Sequence, residues 1–510
     1  MRNLFLIGTL WGICLLSCYP MEVCRAQSRS FGELAEVRII SLKALKIGER
    51  VDGYYISWEK EAEDSNGKEL TIQLFDHNLD PIGQQVFKGT QNLLLQAVAY
   101  NGKNLAVRLW DRKKGIWCSI INSKGETIRT VELDERIPET LSPIKWIFGG
   151  LNLQPVDNGF LISLVHSKLT PGKTDFEYLY IPDDPAQKVL NYKFERGRTY
   201  YQVAALLANE QELFLSRGCT TFKPRTKKTQ LYLQGLNIKT GREVFRLTEA
   251  DTRYKIWAKK AIIQNDSIFV AGAYYEQDEQ YLTDDPKGVF LLKLNRAGIL
   301  LEEYYYSFDV QSLSDFSSAD KTSGEAESYH ILVHDICFTP SGGLVMAGET
   351  YQKSGYGLEI SSGLLAAFNS QLNLTSAEFI EKPVITDLSS LRLFGRSRAA
   401  MALSSNYRGI FNFRYLQQEN GTCTAAFLSH WQQTSTGYPV KFQKKEERDP
   451  TPHVYAYSLK NGVFIANQFS LNPNCTHSEI YPARGGYIMV KEYFEKEKDL
   501  NTRLIRLITE

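Results

Sequence analysis

His330 and His334 stand four residues apart in the run HILVHDICF, which reads as the innermost strand of a sheet. Even spacing in a strand puts both imidazoles on one face, lining a channel, where they could ligate a metal ion. A third ligand at metal-binding spacing is missing, so the expectation is an ordinary hydrogen-bonded pair and no metal. His334 and Asp335, being adjacent in a strand, point to opposite faces and make no dyad. Asp80, Asp184, Asp285 and Asp449 each precede a proline, and Asp183 and Asp284 double two of these acids. Paired carboxylates can do acid–base work or hold Ca²⁺. The two pairs fall in connections at opposite ends of their sheets, however, and Asp-Pro is turn chemistry. Tyr281, Tyr356 and Tyr481, with His477, fall in long connections, where rings can stack on sugar or peptide. Lys223, Arg225, Lys227 and Lys228 make one connection basic, a solvated loop or a surface for an anionic partner. Phosphate-loop, dinucleotide, nucleophile-elbow and HExxH motifs are missing from the sequence. No residue is assigned a catalytic role, and no cofactor is expected.

The elements that must position these groups are short strands. Apolar or alternating runs of Val, Ile, Leu, Phe and Tyr recur along the chain, separated by Gly, Asn and Asp turns. They fall into four-strand groups with two shared landmarks. The turn before the second strand carries pairs such as Asp52-Gly53, Asn101-Gly102, Asn158-Gly159, Asn265-Asp266, Gly342-Gly343 and Asn461-Gly462. The third strand ends in an apolar residue followed by Asn or Asp: Phe75-Asp76, Ile121-Asn122, Leu236-Asn237, Leu294-Asn295 and Phe368-Asn369. Groups begin near residues 36, 93, 146, 199, 254, 329, 393 and 452. A ring buries each such sheet against its neighbours and removes free edges. The expected fold is therefore all-β: a single β-propeller of four-stranded blades over residues 27–510, with eight blades and seven as the alternative. Length collects in the connections between second and third strands and between blades, such as 276–287, 352–361, 471–484 and 309–328. That end of the ring is the expected binding face.

The segments Gly343 to Tyr351 (GLVMAGETY), Phe269 to Tyr275 (FVAGAYY) and Phe290 to Gly298 (FLLKLNRAG) carry a resemblance to secreted, uncharacterised bacterial propellers. It covers about half of the chain and implies a fold but no activity.

Residues 1–26 read as an export signal, with Arg2 ahead of the apolar run Leu4 to Leu16 and a cleavage point at Ala26-Gln27. Cys18, after Leu15-Leu16-Ser17, offers lipid anchoring instead. No later segment is apolar for long enough to cross a bilayer as a helix. Five cysteines remain beyond the signal, Cys118, Cys219, Cys337, Cys423 and Cys475, expected as buried thiols, with Cys423–Cys475 the one pairing to test. Formal net charge is +1 in 510 residues, so no field points to nucleic acid, and 43% hydrophobic residues supply a large core. The expected function is an exported, non-catalytic binding or scaffold propeller, with an unknown protein or glycan as partner. The alternative is a carbohydrate-active hydrolase or lyase with loop carboxylates at the channel mouth.

Overall fold

The structure, a computed structural model, describes residues 27–507 apart from 31–37, 48–49, 63–66, 134–152, 157, 168–173, 194–198, 209–211, 224–225, 238–239, 280–283, 309–329, 354–356, 383, 388–397, 408–409, 420, 429–440, 443–452, 461, 473, 476 and 495–498. The signal region 1–26 lies outside the described residues, as do Asp449 and the 309–328 link.

The described strands form an all-β propeller. Sheet 1 comprises Arg38–Ile47, Arg50–Glu61, Gly67–Asp76 and Pro81–Thr90. Sheet 2 follows with Leu94–Tyr100, Asn104–Asp111, Gly115–Asn122 and Thr127–Leu133. Sheet 3 has Leu153–Val156, Gly159–Ser167, Thr174–Pro182 and Leu190–Lys193. Sheet 4 has Thr199–Ala208, Glu212–Lys223, Thr226–Asn237 and Glu243–Leu247. Sheet 5 has Lys255–Gln264, Ser267–Tyr275, Gly288–Asn295 and Leu300–Ser307. Sheet 6 has His330–Phe338, Leu344–Lys353, Leu358–Phe368 and Leu374–Ile380, extended by Ile385–Asp387 and Lys441–Phe442. Sheet 7 has Phe413–Glu419, Thr422–Leu428, His453–Lys460 and Val463–Ser470. In sheet 8, His477–Pro482, Tyr487–Phe494 and Asp499–Arg506 are completed by the N-terminal Gln27–Ser30. Seven sheets are thus four-stranded, and sheet 6 alone carries extra strands.

Each interface around the ring has its own apolar cluster. Leu70, Leu105 and Val107 join sheets 1 and 2, and Ala271, Val289, Met346 and Leu364 join sheets 5 and 6. Tyr54, Ile56, Met489 and Leu504 join sheet 8 back to sheet 1. Strands packed on both faces read as continuous apolar runs, as in Gly288–Asn295. An outermost strand such as Leu300–Ser307 is wet on one side and mostly exposed or half-buried.

Both sequence landmarks have local causes. At the end of the third strand, Asn369 Oδ1 accepts the N–H groups of Gln371 (3.0 Å) and Asn373 (2.9 Å). Asp76 and Asn122 cap the same turn in sheets 1 and 2. In the second strand, Gly272 sits opposite Ala258, where a Cβ would lie 2.1 Å from the Trp257 carbonyl oxygen. Gly348 faces Val333 in the same way in sheet 6. Just beyond both places the innermost strand bulges. Six innermost strands skip one residue in their pairing: Ile40, Gln96, Leu206, Lys259, His334 and Arg414.

Four segments differ from their sequence reading. Residues 398–407, in the group begun near 393, form an α-helix, Arg398–Tyr407, and the strand at 453–460 is the third of sheet 7 rather than the first of a new group. The basic segment is a tight hairpin, with strand up to Lys223 and again from Thr226; Arg225 lies outside the described residues. The 471–484 connection contains the innermost strand of sheet 8. Asn369→Ala is expected to destabilise the ring by about 1 kcal/mol through the lost turn bonds. Gly272→Ala is expected to cost about 1–3 kcal/mol by forcing strands apart. Denaturant unfolding checks both.

Candidate functional site

Bulged residues leave their own ladder, so their side chains are free to reach elsewhere. Gln96 Oε1 accepts a bond from the buried Arg108 (3.0 Å) within sheet 2. Lys259 of sheet 5 reaches across to donate to the Val333 carbonyl of sheet 6, and burial lowers its amine to about 8. His334 stacks flat on Phe413 of sheet 7, with ring centroids 5.0 Å apart, and meets Phe411 edge-on. Arg414 donates to the carbonyls of Phe411 (2.7 Å) and Phe413 (3.0 Å).

Two of these residues, His334 and Arg414, lie by Glu349, whose side chain is 0% exposed. Its oxygens pair with Lys382, lie 3.0 Å from His334 Nε2, and accept the backbone N–H groups of Asn412 (3.1 Å) and Phe413 (2.8 Å). Burial alone would push this carboxyl up; Lys382 and His334 outweigh it and hold Glu349 well below the usual carboxylate range. Burial lowers His334, with Glu349 opposing only in part, so its imidazole is neutral at pH 7. The even spacing of His330 and His334 does not survive as a shared face, because the bulge at His334 breaks the alternation between them.

A second cluster lies at the end of the ring that carries the long connections. Asp285 Oδ1 accepts the Tyr351 hydroxyl (2.6 Å), and Oδ2 lies 3.1 Å from Arg398 and 3.4 Å from His330 Nδ1. Its Asp-Pro sequence suggested a turn alone; in the fold this acid ties the 276–287 connection to sheet 6 and to the helix. Burial lowers His330 against the pull of Asp285, and burial with Asp285 raises Tyr351 well above its ordinary value. A neutral imidazole, a protonated phenol and a paired acid hold a connection in place.

Of the residues expected to bind ligand, Tyr281 and Tyr356 lie outside the described residues. Tyr481 and His477 belong to the innermost strand of sheet 8 rather than a loop. The Tyr481 hydroxyl donates to Glu479, which also pairs with Lys491 at 2.7 Å, and its ring packs into the sheet 8–sheet 1 core. Cys423 lies beside Cys337, not Cys475, with sulfurs 2.8 Å apart. No group of three or more His, Cys, Asp or Glu suited to a metal occurs among the described residues.

The opposite end of the ring holds a feature that sequence spacing did not reveal. Between sheets 5 and 6 a cleft of about 320 Å³ is walled by Phe269 and Tyr304, with Gln264, Asn265, Lys293 and Glu302 on one side. The turns at 340–342 and 370–371 form the other side. Glu302 is its one acid; it pairs with Lys293 (2.7 Å) and accepts the Tyr304 hydroxyl (2.8 Å). Those two bonds lower the carboxyl from its ordinary value and keep it ionised.

The chemistry of Glu349 yields a thermodynamic test. Glu349→Gln leaves Lys382 buried without its counter-charge and is expected to lose about 3–5 kcal/mol. Glu349→Gln with Lys382→Met is expected to lose clearly less than the sum of the single changes, read by a double-mutant cycle. Both Glu349 and His334 have folded pKa values below their unfolded ones. Their stabilisation is therefore complete above about pH 6.5, the unfolded histidine value, and declines as pH falls through the folded values. Thermal unfolding across pH 7 to 4 is expected to show that decline, with a shallower slope above pH 5 in His334→Phe, which leaves Glu349 to Lys382 and the two backbone donors.

No curated protein matches the chain. Among solved structures it is similar to a prolyl endopeptidase, at 11% identity and a TM-score of 0.36, over 90% of this chain and 54% of that one. The chain thus spans about half the length of that structure. It is also similar to the β-propeller domain of the Trilobed protease from Pyrococcus furiosus, at 9% identity and a TM-score of 0.33, over 92% and 95% of the two chains. A third similar structure is a subtype N10 neuraminidase-like protein of A/little yellow-shouldered bat/Guatemala/060/2010, at 8% identity and a TM-score of 0.30, over 80% and 90%. Residues 153–508, well over half of the sequence, match one family model, and the chain belongs to that family, DUF6770, a family of unknown function.

Proposed function

We propose that this protein is an exported, non-catalytic binding propeller, and that the cleft between sheets 5 and 6 takes a polar ligand such as a glycan or peptide. The observation that carries this reading is the acid count of the cleft. Hydrolysis of a glycosidic bond uses two carboxyl groups, one of them protonated. Glu302 is single and held ionised by Lys293 and Tyr304. What the cleft does offer is an aromatic wall, three side-chain amides (Gln264, Asn265 and Gln371) and a fixed ion pair, which suit stacking and orientation. The Asp285 and Glu349 clusters support the same reading, because their charges are spent on one another and on backbone groups.

Glycan and peptide arrays probed with the mature protein supply the test. Tyr304→Ala is expected to weaken the best array ligand by roughly tenfold, a loss of about 1.4 kcal/mol. Tyr356→Ala, in the connection 352–361 that the sequence alone marks for binding, is expected to leave it unchanged. The reverse pattern would move the site to the loop-bearing end. Turnover of a bound glycan, abolished in Glu302→Gln, would establish the hydrolase reading instead.

A further inference from the structure

Cys337 lies in the innermost strand of sheet 6 and Cys423 in the second strand of sheet 7, 86 residues apart in sequence. Their sulfurs are 2.8 Å apart, less than about 1 Å longer than a disulfide bond. Both are buried in one apolar cluster with Val345, Leu365, Leu416 and Phe427, which is the interface between the two sheets. Neighbouring backbones there are held by the pairing Cys337↔Val345 on one side and Cys423↔Leu459 on the other, so neither thiol has to travel to meet the other. Cys118 and Cys475 belong to other interfaces, between sheets 2 and 3 and between sheets 7 and 8.

We infer that Cys337 and Cys423 form a redox-closed staple between sheets 6 and 7 when the chain folds in contact with a disulfide oxidant. One thiolate attacks the oxidant's disulfide, forming a mixed disulfide and releasing one oxidant thiol. The second cysteine, as its thiolate, then attacks the mixed disulfide at the protein sulfur; the Sγ–Sγ bond forms and the second oxidant thiol leaves. Two electrons pass from the cysteine pair to the oxidant, and the two protons end on the released thiols. The finished interface is closed to solvent, so the exchange belongs to the stage before sheet 7 seats on sheet 6. Once made, the bond joins two sheets that otherwise hold together by apolar packing and the bonds around Glu349.

Peptide mapping of the full chain tests this. The protein is refolded in a mixture of reduced glutathione and glutathione disulfide, quenched in acid, then denatured and alkylated without reductant. The expected map contains one cross-linked pair carrying Cys337 and Cys423, lighter by two hydrogens than the two peptides, with Cys118 and Cys475 alkylated. Reduction before alkylation is expected to restore both missing sites. Alkylation of Cys337 and Cys423 to the same extent as Cys118 overturns the inference, as does a Cys423–Cys475 link. A second measurement uses Cys337→Val with Cys423→Val, which keeps the interface filled with apolar atoms. Reductant is expected to lower the Tm of the oxidised natural chain by a few degrees and leave that of the variant unchanged. A natural chain insensitive to reductant also overturns it. Should the variant fail to fold, the mapping of the natural chain decides alone.

Discussion

A carboxylate shut away from water must be matched by charge and hydrogen bonds or it takes up a proton and loses its charge. Glu349 meets that demand with four partners from three places: Lys382 just after the fourth strand of sheet 6, His334 from the innermost strand, and the N–H groups of Asn412 and Phe413. The last two open sheet 7. One ionised side chain therefore fixes where the chain leaves one sheet and where it enters the next, across the stretch that also contains the helix. His334 in turn lies flat against Phe413, so the same contact sets the spacing of sheets 6 and 7.

Two of the bulges extend this arrangement to neighbouring sheets. Skipping one residue in the innermost strand turns a side chain out of the regular alternation and toward a neighbour. In sheet 5 the residue is Lys259, which bonds the next sheet; in sheet 6 it is His334, which stacks on the next sheet; in sheet 7 it is Arg414. Apolar clusters supply most of the cohesion between sheets, but they are tolerant of sliding. At the bulges of sheets 5 and 6, Lys259 and His334 add a directional contact with the next sheet to that cohesion. The second-strand glycines, Gly272 and Gly348, belong to the same device, since they let the innermost strand come close just before it bulges.

Legibility in the sequence followed locality. The Asn and Asp residues that close the third strand could be read because their bonding partners lie two and four residues away. The propeller itself was legible from repeated strand groups, since a repeat of such sheets has few ways to bury both faces. The strand His453–Lys460 misled because its following Asn461-Gly462 turn matches the turn after an innermost strand, and only the pairing with Thr422–Leu428 shows its place. Tyr481 and His477 read as loop residues for the same reason: with one sheet displaced in the repeat, the strand that holds them falls in a connection. The His330–His334 spacing failed because a bulge is a property of the pairing and leaves no mark in a single strand. Glu349 was visible as part of GLVMAGETY, but Lys382 stands 33 residues further on and nothing in the spacing joins them. The cleft draws on separate turns of two sheets, so no single stretch of sequence outlines it.

The pairing of Gln27–Ser30 with Asn501–Leu504 gives the ring a temporal order. These partners are separated by 471 to 477 positions, and joining them in an otherwise formless chain would carry a loop-closure penalty of roughly 5 kcal/mol. Stacking seven sheets one after another shrinks that distance before the seam forms, because each new sheet carries the growing end further around the circle. The last step then resembles zipping a short gap more than capturing a distant strand. During synthesis the strand Gln27–Ser30 must stay unpaired until residues 501–504 have emerged, and all that time the flank of sheet 1 that receives sheet 8 stays open. The short, polar composition of QSRS suits such a wait, since it offers an exposed partner little to hold.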